Sequence, residues 1–265
     1  MNGQDQRVAV VTGAASGIGL ATCRRLAAEG YRLVLADVEP GPLAEAAETL
    51  ATTTDVMPVT VDVRDRDAVA GVADLTYERF GRVDVVFNNA GIATGGPVAE
   101  TTHDDWRWTI DVNLWGPIHG VEAFLPRMVE AGRGHLLFTA SFAGLVPNLG
   151  LGAYCVSKYG VVALAEVLHR ELRDHGIGVS VLCPMVVTTN IGTSARNRPP
   201  ELGGGLALPE RAAPGEPRGT VLSADAVADQ VVAAIGTDRL YIVTHPESRP
   251  MIRRRFDRID RAFER

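Results

Sequence analysis

The sequence predicts an α/β fold built on a doubly wound parallel sheet, and three observations carry that prediction. Short apolar runs alternate with longer segments of helical period along most of the 265 residues. The apolar runs are near-continuous, as strands buried on both faces are. Consecutive strands running the same way need a crossover between them, and the helical segments supply it. Apolar residues make up 46% of the chain, enough for a full core. No linker or internal repeat interrupts the pattern, so residues 1–265 read as one domain.

Residues 7–12, 32–37, 56–61, 83–88, 135–139 and 178–183 read as strands, rich in Val and Leu and bounded by Gly, Asp or Pro. Between them, residues 18–29, 42–53, 65–80, 104–112, 117–131 and 154–175 show helical periodicity. A helix over 224–235 and a short strand over 240–243 follow. Two segments fall outside this alternation. Residues 189–220 hold six Gly and five Pro, a loop of the length that serves as a lid over a substrate. The tail carries Ile252, Phe256, Ile259 and Phe263 at spacings of 4, 3 and 4, an amphipathic helix over about 247–263 with a basic outer face.

Composition removes several classes of function. A net charge of −6 argues against a nucleic-acid partner. No apolar run approaches a membrane span, and the N-terminus lacks the pattern of a secretory leader. Cys23, Cys155 and Cys183 are odd in number and far apart, which suits a reducing cytoplasm and no disulfide framework. The six histidines are scattered, so no metal site is expected. Of 26 basic residues only Lys158 is a lysine. Where arginine is used everywhere else, the remaining lysine is a candidate for chemistry that needs a compact ammonium with a tunable pKa.

After the first strand comes Thr12-Gly13-Ala14-Ala15-Ser16-Gly17-Ile18-Gly19, opening directly into a helix. Glycines let a backbone turn tightly and approach a pyrophosphate, which then faces the N–H groups of the helix N-terminus. The second strand ends at Asp37, whose carboxylate can accept hydrogen bonds from ribose hydroxyls and repel a 2′-phosphate; its alternative is to cap the next helix. No basic side chain stands at Ser16 or Val38, so the cofactor reads as NAD. Asp62, after the third strand, and Asn88-Asn89-Ala90-Gly91, after the fourth, fall on the same carboxyl edge.

Tyr154 and Lys158 lie four residues apart at the start of a helix, hence on one face. A free phenol has a pKa near 10. A nearby ammonium, together with the positive helix end and an oxidised nicotinamide, would favour phenolate and make Tyr154 a usable acid/base. Ser141 follows the fifth strand and can hydrogen-bond a substrate oxygen. Asn113 can hold a backbone bend, or a water linking Lys158 to solvent.

Together these residues resemble the short-chain dehydrogenase/reductase family: TGAASGIG at 12–19, NNAG at 88–91, Asn113, Ser141 and YCVSK at 154–158, in the family's order and spacing from residue 7 to 243. The resemblance implies a Rossmann-type sheet, hydride transfer between NAD and a secondary alcohol or ketone, and a catalytic tetrad of Asn113, Ser141, Tyr154 and Lys158. It further implies cofactor contacts at Gly13, Ser16, Ile18, Gly19, Asp37, Asp62, Val63, Asn89 and Gly91, with Tyr154 and Lys158, and at Pro184, Val187 and Thr189 after the sixth strand. Met185 stands where the family commonly has glycine. Pairing through the helices at 117–131 and 154–175 into a homotetramer or dimer is implied as well. The expected pocket border, Gly144 to Pro147 with Leu149, Leu151, Met185 and Val186, is apolar, which points to a hydrophobic cyclic small molecule, terpenoid-like or steroid-like. Two other readings stay open on the same fold: an epimerase or dehydratase, and a non-catalytic dinucleotide-binding protein.

Overall fold

The structure, a computed structural model, describes residues 6–205 and 219–264. Seven strands form one parallel sheet: β1 (Val8–Thr12), β2 (Arg32–Asp37), β3 (Val56–Thr60), β4 (Val85–Asn88), β5 (Gly134–Thr139), β6 (Ile177–Leu182) and β7 (Tyr241–Ile242). Their order is β3-β2-β1-β4-β5-β6-β7. The chain runs outward from β1 to β3 and returns to start the other half at β4. The carboxyl ends of β1 and β4 therefore flank the point where strand order reverses, which is where open α/β sheets bind ligands.

Period-two alternation divides each inner strand between two cores. Along β1, Val8 and Val10 pack with Val69 and Val72 of α3 (Arg66–Phe80), Phe124 and Met128 of α5 (Gly116–Ala131), and Val161 and Ala165 of α6 (Gly152–Glu171). Ala9 and Val11 face the other way, onto Leu26 of α1 (Gly17–Ala28), Leu43 of α2 (Pro40–Ala51), and Val227 and Val231 of α7 (Ala224–Val232). Burial of each such Val or Leu contributes about 1.5–3 kcal/mol, so apolar residues are required at both phases of the strand. That is why these strands read as unbroken apolar runs.

Local signals fix the helix ends. The Asp65 carboxylate accepts from the N–H groups of Asp67 and Ala68, both at 3.0 Å, and starts α3; Gly81, at φ 72°, ends it. A reciprocal cap between Thr102 and Asp105 starts α4 (His103–Ile110).

Several boundaries differ from the sequence reading: α6 ends at Glu171 and not at 175, α7 at Val232 and not at 235, and β4 starts at Val85 and not at 83. The helices expected at 104–112 and 117–131 are one rod, because α4 runs through a π-turn, Asp111–Trp115, straight into α5. Pro117 supplies the reason: it has no N–H for the Asn113 carbonyl four residues earlier, and its ring crowds that carbonyl. The helix widens there instead of ending. The C-terminal helix is shorter than expected, α8 (Arg249–Asp260), continued by one 3₁₀ turn at Arg261–Glu264. Its stripe is largely uncovered, with Phe256, Ile259 and Phe263 exposed. Among the described residues no helix is long and apolar enough to cross a membrane, and no group of three or more His, Cys, Asp or Glu could hold a metal.

Candidate active site

The carboxyl edge of the sheet opens into a cavity of about 560 Å³, within the range of small-molecule sites. Its lower wall is the glycine turn between β1 and α1. Gly13 and Gly17 have φ of 65° and 54°, a region that side chains rarely adopt. Gly19 is helical, but a Cβ there would lie 2.1 Å from the Gly13 carbonyl oxygen and 2.7 Å from Asn89 Nδ2. Neither neighbour can yield. The Asn89 amide already donates to the Thr12 and Gly13 carbonyls at 3.0 and 3.3 Å, and its carbonyl oxygen accepts from the Thr139 hydroxyl at 2.9 Å. Asn89 is thus a brace joining the ends of β1, β4 and β5. Gly19→Ala is expected to lower stability by roughly 1–3 kcal/mol through overpacking and to weaken dinucleotide binding with it. The urea midpoint together with an NADH fluorescence titration checks this; a variant unchanged in both would show that the turn relaxes freely.

At the end of β2 the Asp37 carboxylate faces the cavity and accepts from the N–H of Ala15 at 2.9 Å and of Glu39 at 3.0 Å. The second bond belongs to the turn that leads into α2, whose N-cap, Glu39, makes no side-chain cap bond. Burial pushes its pKa up, and the two backbone donors pull it back. Asp62 is held by Arg64, whose Nε donates at 2.8 Å. Val63 is buried on the wall, with its carbonyl hydrogen-bonded to His119 at 2.9 Å.

Of the expected site residues, Gly19 and Asn113 sit behind the cavity wall and the rest line it. The π-turn places Asn113 against the chain after β4. Its Oδ1 accepts from Ile92 N–H at 2.8 Å, and its Nδ2 donates to Ile92 O at 2.9 Å and to Ser157 Oγ at 3.2 Å. The side chain is thereby tied to the Ile92 backbone and to Ser157. Lys158, 2% exposed, donates to the Thr139 carbonyl at 2.8 Å, and its Nζ lies 5.6 Å from the centre of the Tyr154 ring. Ser141 Oγ accepts from Ala143 N–H at 3.1 Å and lies 3.4 Å from the Pro184 carbonyl.

Tyr154 and Lys158 form the pair on which the acid/base expectation rests. Burial dominates both groups in the chain's own field. It pushes Tyr154 up to about 12, against a downward pull from the Ser141 hydroxyl, and Lys158 down to about 8. Behind Lys158, burial raises the Cys183 thiol to about 12, so no thiolate competes for the ammonium. All three cysteines are free and buried.

The outer wall was less legible. Met185 and Val186 line the cavity as expected, but Gly144 to Pro147, Leu149 and Leu151 do not; Leu149 points to solvent, and Gly144 packs against the Lys158 backbone. Ile92, Trp108, Val112 and Ile191 supply apolar wall in their place. The segment expected as a lid is described from 189 to 205 and again from 219; residues 206–218 lie outside the described residues. Its first half lies across the cleft as 3₁₀ turns, Asn190–Asn197 and Pro200–Leu202. Ser194 Oγ bonds the Ala93 N–H and carbonyl at 3.1 and 3.2 Å. Arg196 forms a two-point pair with Glu39, at 2.9 and 2.7 Å. Arg198, buried with Asp105, bonds it at 2.6 Å and lies 5.1 Å from the Trp108 ring centre. At the far end, Thr220 is clamped by the Glu247 carboxylate at 2.8 Å and by His245 Nε2 at 2.8 Å, while His245 Nδ1 accepts from Met185 N–H at 3.3 Å. The sequence reading missed Glu39, Ser194, Arg196, Arg198 and His245.

Comparison with known proteins agrees with this architecture. The family model for short chain dehydrogenase matches residues 7–200. A 1-deoxy-11-beta-hydroxypentalenate dehydrogenase of Streptomyces exfoliatus is 40% identical over 255 residues, covering 95% of this chain and 87% of the relative. A C alpha-dehydrogenase of a Sphingobium species is 34% identical over 266 residues, 97% of this chain and 86% of that one. A short-chain dehydrogenase/reductase of Burkholderia phymatum, solved in complex with NAD, superposes with a TM-score of 0.88 at 39% identity, covering 98% of this chain and 96% of that one. With the glycine turn, the Asn-Asn-Ala-Gly segment and the Tyr154–Lys158 pair on one carboxyl edge, the chain belongs to the short-chain dehydrogenase/reductase family.

Proposed function

We propose that this oxidoreductase interconverts a hydrophobic cyclic secondary alcohol of terpenoid-like class and its ketone, using NAD. The observation that carries the reading is the convergence of the Tyr154 phenol, the Ser141 hydroxyl and the Lys158 ammonium at one end of a cavity whose other end is the glycine turn and Asp37. The residues fit a dinucleotide: a cradle with no room for a Cβ at Gly19, a carboxylate at the ribose end and an apolar wall beyond. When bound, the nicotinamide accepts or gives the hydride.

The chain's own groups handle the proton and the position. In the oxidative direction Tyr154 first loses its own proton to solvent; the phenolate then takes the alcohol O–H proton, the C–H electron pair leaves as hydride, and the C=O bond forms. Ser141 donates to the same substrate oxygen and holds it beside Tyr154. Lys158 stabilises the phenolate by charge at short range, and Asn113 fixes the Ile92 backbone beside it. A phenol held near 12 is protonated at neutral pH, ready to act as the acid in ketone reduction. Asp37 favours NAD, since a 2′-phosphate beside its carboxylate meets like charge.

For substrate class, support comes from the apolar wall of Trp108, Val112, Met185 and Ile191 and from the printed activity of the Streptomyces relative. Residues 189–220 act as a lid in this reading, supported by the four docking contacts of their described part. A homo-oligomer is supported by the exposed apolar side chains of Trp115 in the π-turn and of Val156 and Val167 on α6. NADH formation from a panel of cyclic secondary alcohols tests the function. Turnover that is lost in Tyr154→Phe is the expected result, and no NADH from any member would overturn it.

A further inference from the structure

Two carboxylates and one guanidinium share the end of the cleft beyond the glycine turn. Asp37 and Glu39 stand two residues apart at the end of β2, and Arg196 reaches them from the segment that lies across the cleft. The three side chains line the same cavity as Gly13, Ser16 and Gly17. Arg196 is held in position from behind: its Nη1 donates to the carbonyls of Asn190 and Thr193 at 3.2 and 3.0 Å and to Thr193 Oγ1 at 3.1 Å. Its other two nitrogens, Nε and Nη2, form the parallel fork with Glu39. That fork is the geometry with which arginine also binds phosphate. Arg196 feels the charge of Asp37 as well as that of Glu39. Arg64, the other arginine lining the cavity, is engaged by Asp62.

We infer that Glu39 is a specificity-determining residue: by occupying the Arg196 fork it silences a guanidinium that would otherwise receive the 2′-phosphate of NADP. The inference deepens the reading of this site as an NAD site and rests on it. Asp37 alone supplies one repelling charge, but a phosphate oxygen next to a preorganised free arginine would offset it. Glu39 removes that route in two ways. It neutralises the cation, and it keeps both fork nitrogens hydrogen-bonded, so a phosphate must break a two-point pair before it can form one. The lid thereby takes part in cofactor discrimination from a position 157 residues away from Glu39 in the chain. The pair is partly solvent-exposed, so its strength as a structural tie is modest, and its removal is compatible with folding.

The test needs no substrate. NADH and NADPH are titrated by fluorescence into the wild-type protein, Glu39→Ala, Arg196→Gln and the double variant. The ratio of the NADPH to the NADH dissociation constant is expected to fall at least about tenfold in Glu39→Ala, the size of one charge-assisted phosphate contact. In the double variant the ratio should return to near the wild-type value, because the gain requires Arg196. An unchanged ratio in Glu39→Ala overturns the inference, and so does a fall that persists without Arg196. The wild-type titration reports separately on the NAD reading. Tighter binding of NADPH than NADH there would defeat that reading, whereas a wild-type preference for NADH with an unmoved ratio in Glu39→Ala defeats the inference alone.

Discussion

Tyr154→Phe is expected to lower turnover by about 10²–10⁴-fold while leaving dinucleotide affinity nearly unchanged. The substitution deletes one oxygen from a side chain that is otherwise packed with Ala143 and Cys155 in a small core cluster, so the fold has little to lose. Without that oxygen the alcohol proton has no acceptor on the chain. Ser141 cannot replace it, since its neutral hydroxyl is a hydrogen-bond donor to the substrate oxygen in this reading and not a base that could take the proton. Steady-state rates and an NADH titration on the same preparation check the split. A variant with wild-type turnover would remove Tyr154 from the chemistry, and a variant that lost dinucleotide binding would assign it a structural role.

Lys158→Arg should cost turnover about a hundredfold or more, although formal charge is kept. The ammonium occupies a closed space. Its Nζ contacts the Thr139 carbonyl at 2.8 Å, a Cβ built on Gly91 would stand only 3.4 Å from it, and the residue is 2% exposed. A planar guanidinium does not fit there without displacing the backbone after β4 or β5. The pH profile provides a second readout. Burial lowers the folded pKa of Lys158 from 10.5 to about 8, so the wild-type ammonium is present below that value and lost as pH rises through it. The support it gives to a Tyr154 phenolate is lost over the same interval. Arginine does not titrate there, and the inflection near 8 should disappear in the variant. Normal turnover with an unmoved profile would make the single lysine an accident of composition.

What the sequence disclosed divides by distance along the chain. The glycine turn, Asp37 and the Tyr154–Lys158 pair are local patterns: strand periodicity places the first two at the carboxyl edge, and the four-residue spacing puts the pair on one helix face. The π-turn at Asn113 was readable in principle, because Pro117 stands four residues later, but helical periodicity alone suggests two helices there. Arg196 and Arg198 lie in a stretch without periodicity, and their partners are 157 and 93 residues away. Nothing in the neighbourhood of an arginine announces such a partner. The apolar wall was misplaced for a related reason. The stretch from Gly144 to Leu151 has suitable residues, but Gly144 packs onto the Lys158 backbone and Leu149 turns outward, while Trp108 arrives from α4 and Val112 from the π-turn itself.

The three buried thiols have a consequence for how the protein can be watched. Burial raises the pKa of Cys23, Cys155 and Cys183 alike, so in the closed molecule almost no thiolate exists at neutral pH. Alkylating reagents and peroxides attack thiolate, and each cysteine can therefore react only during an excursion that exposes it. The three sites open by different excursions. Cys23 lies on the buried face of α1, in the core shared with α2 and α7, Cys155 neighbours Tyr154 on α6, and Cys183 follows β6 behind Lys158. Their separate labelling rates make a clock with three hands, one for the nucleotide-side core, one for the helix that bears the acid/base and one for the sheet itself.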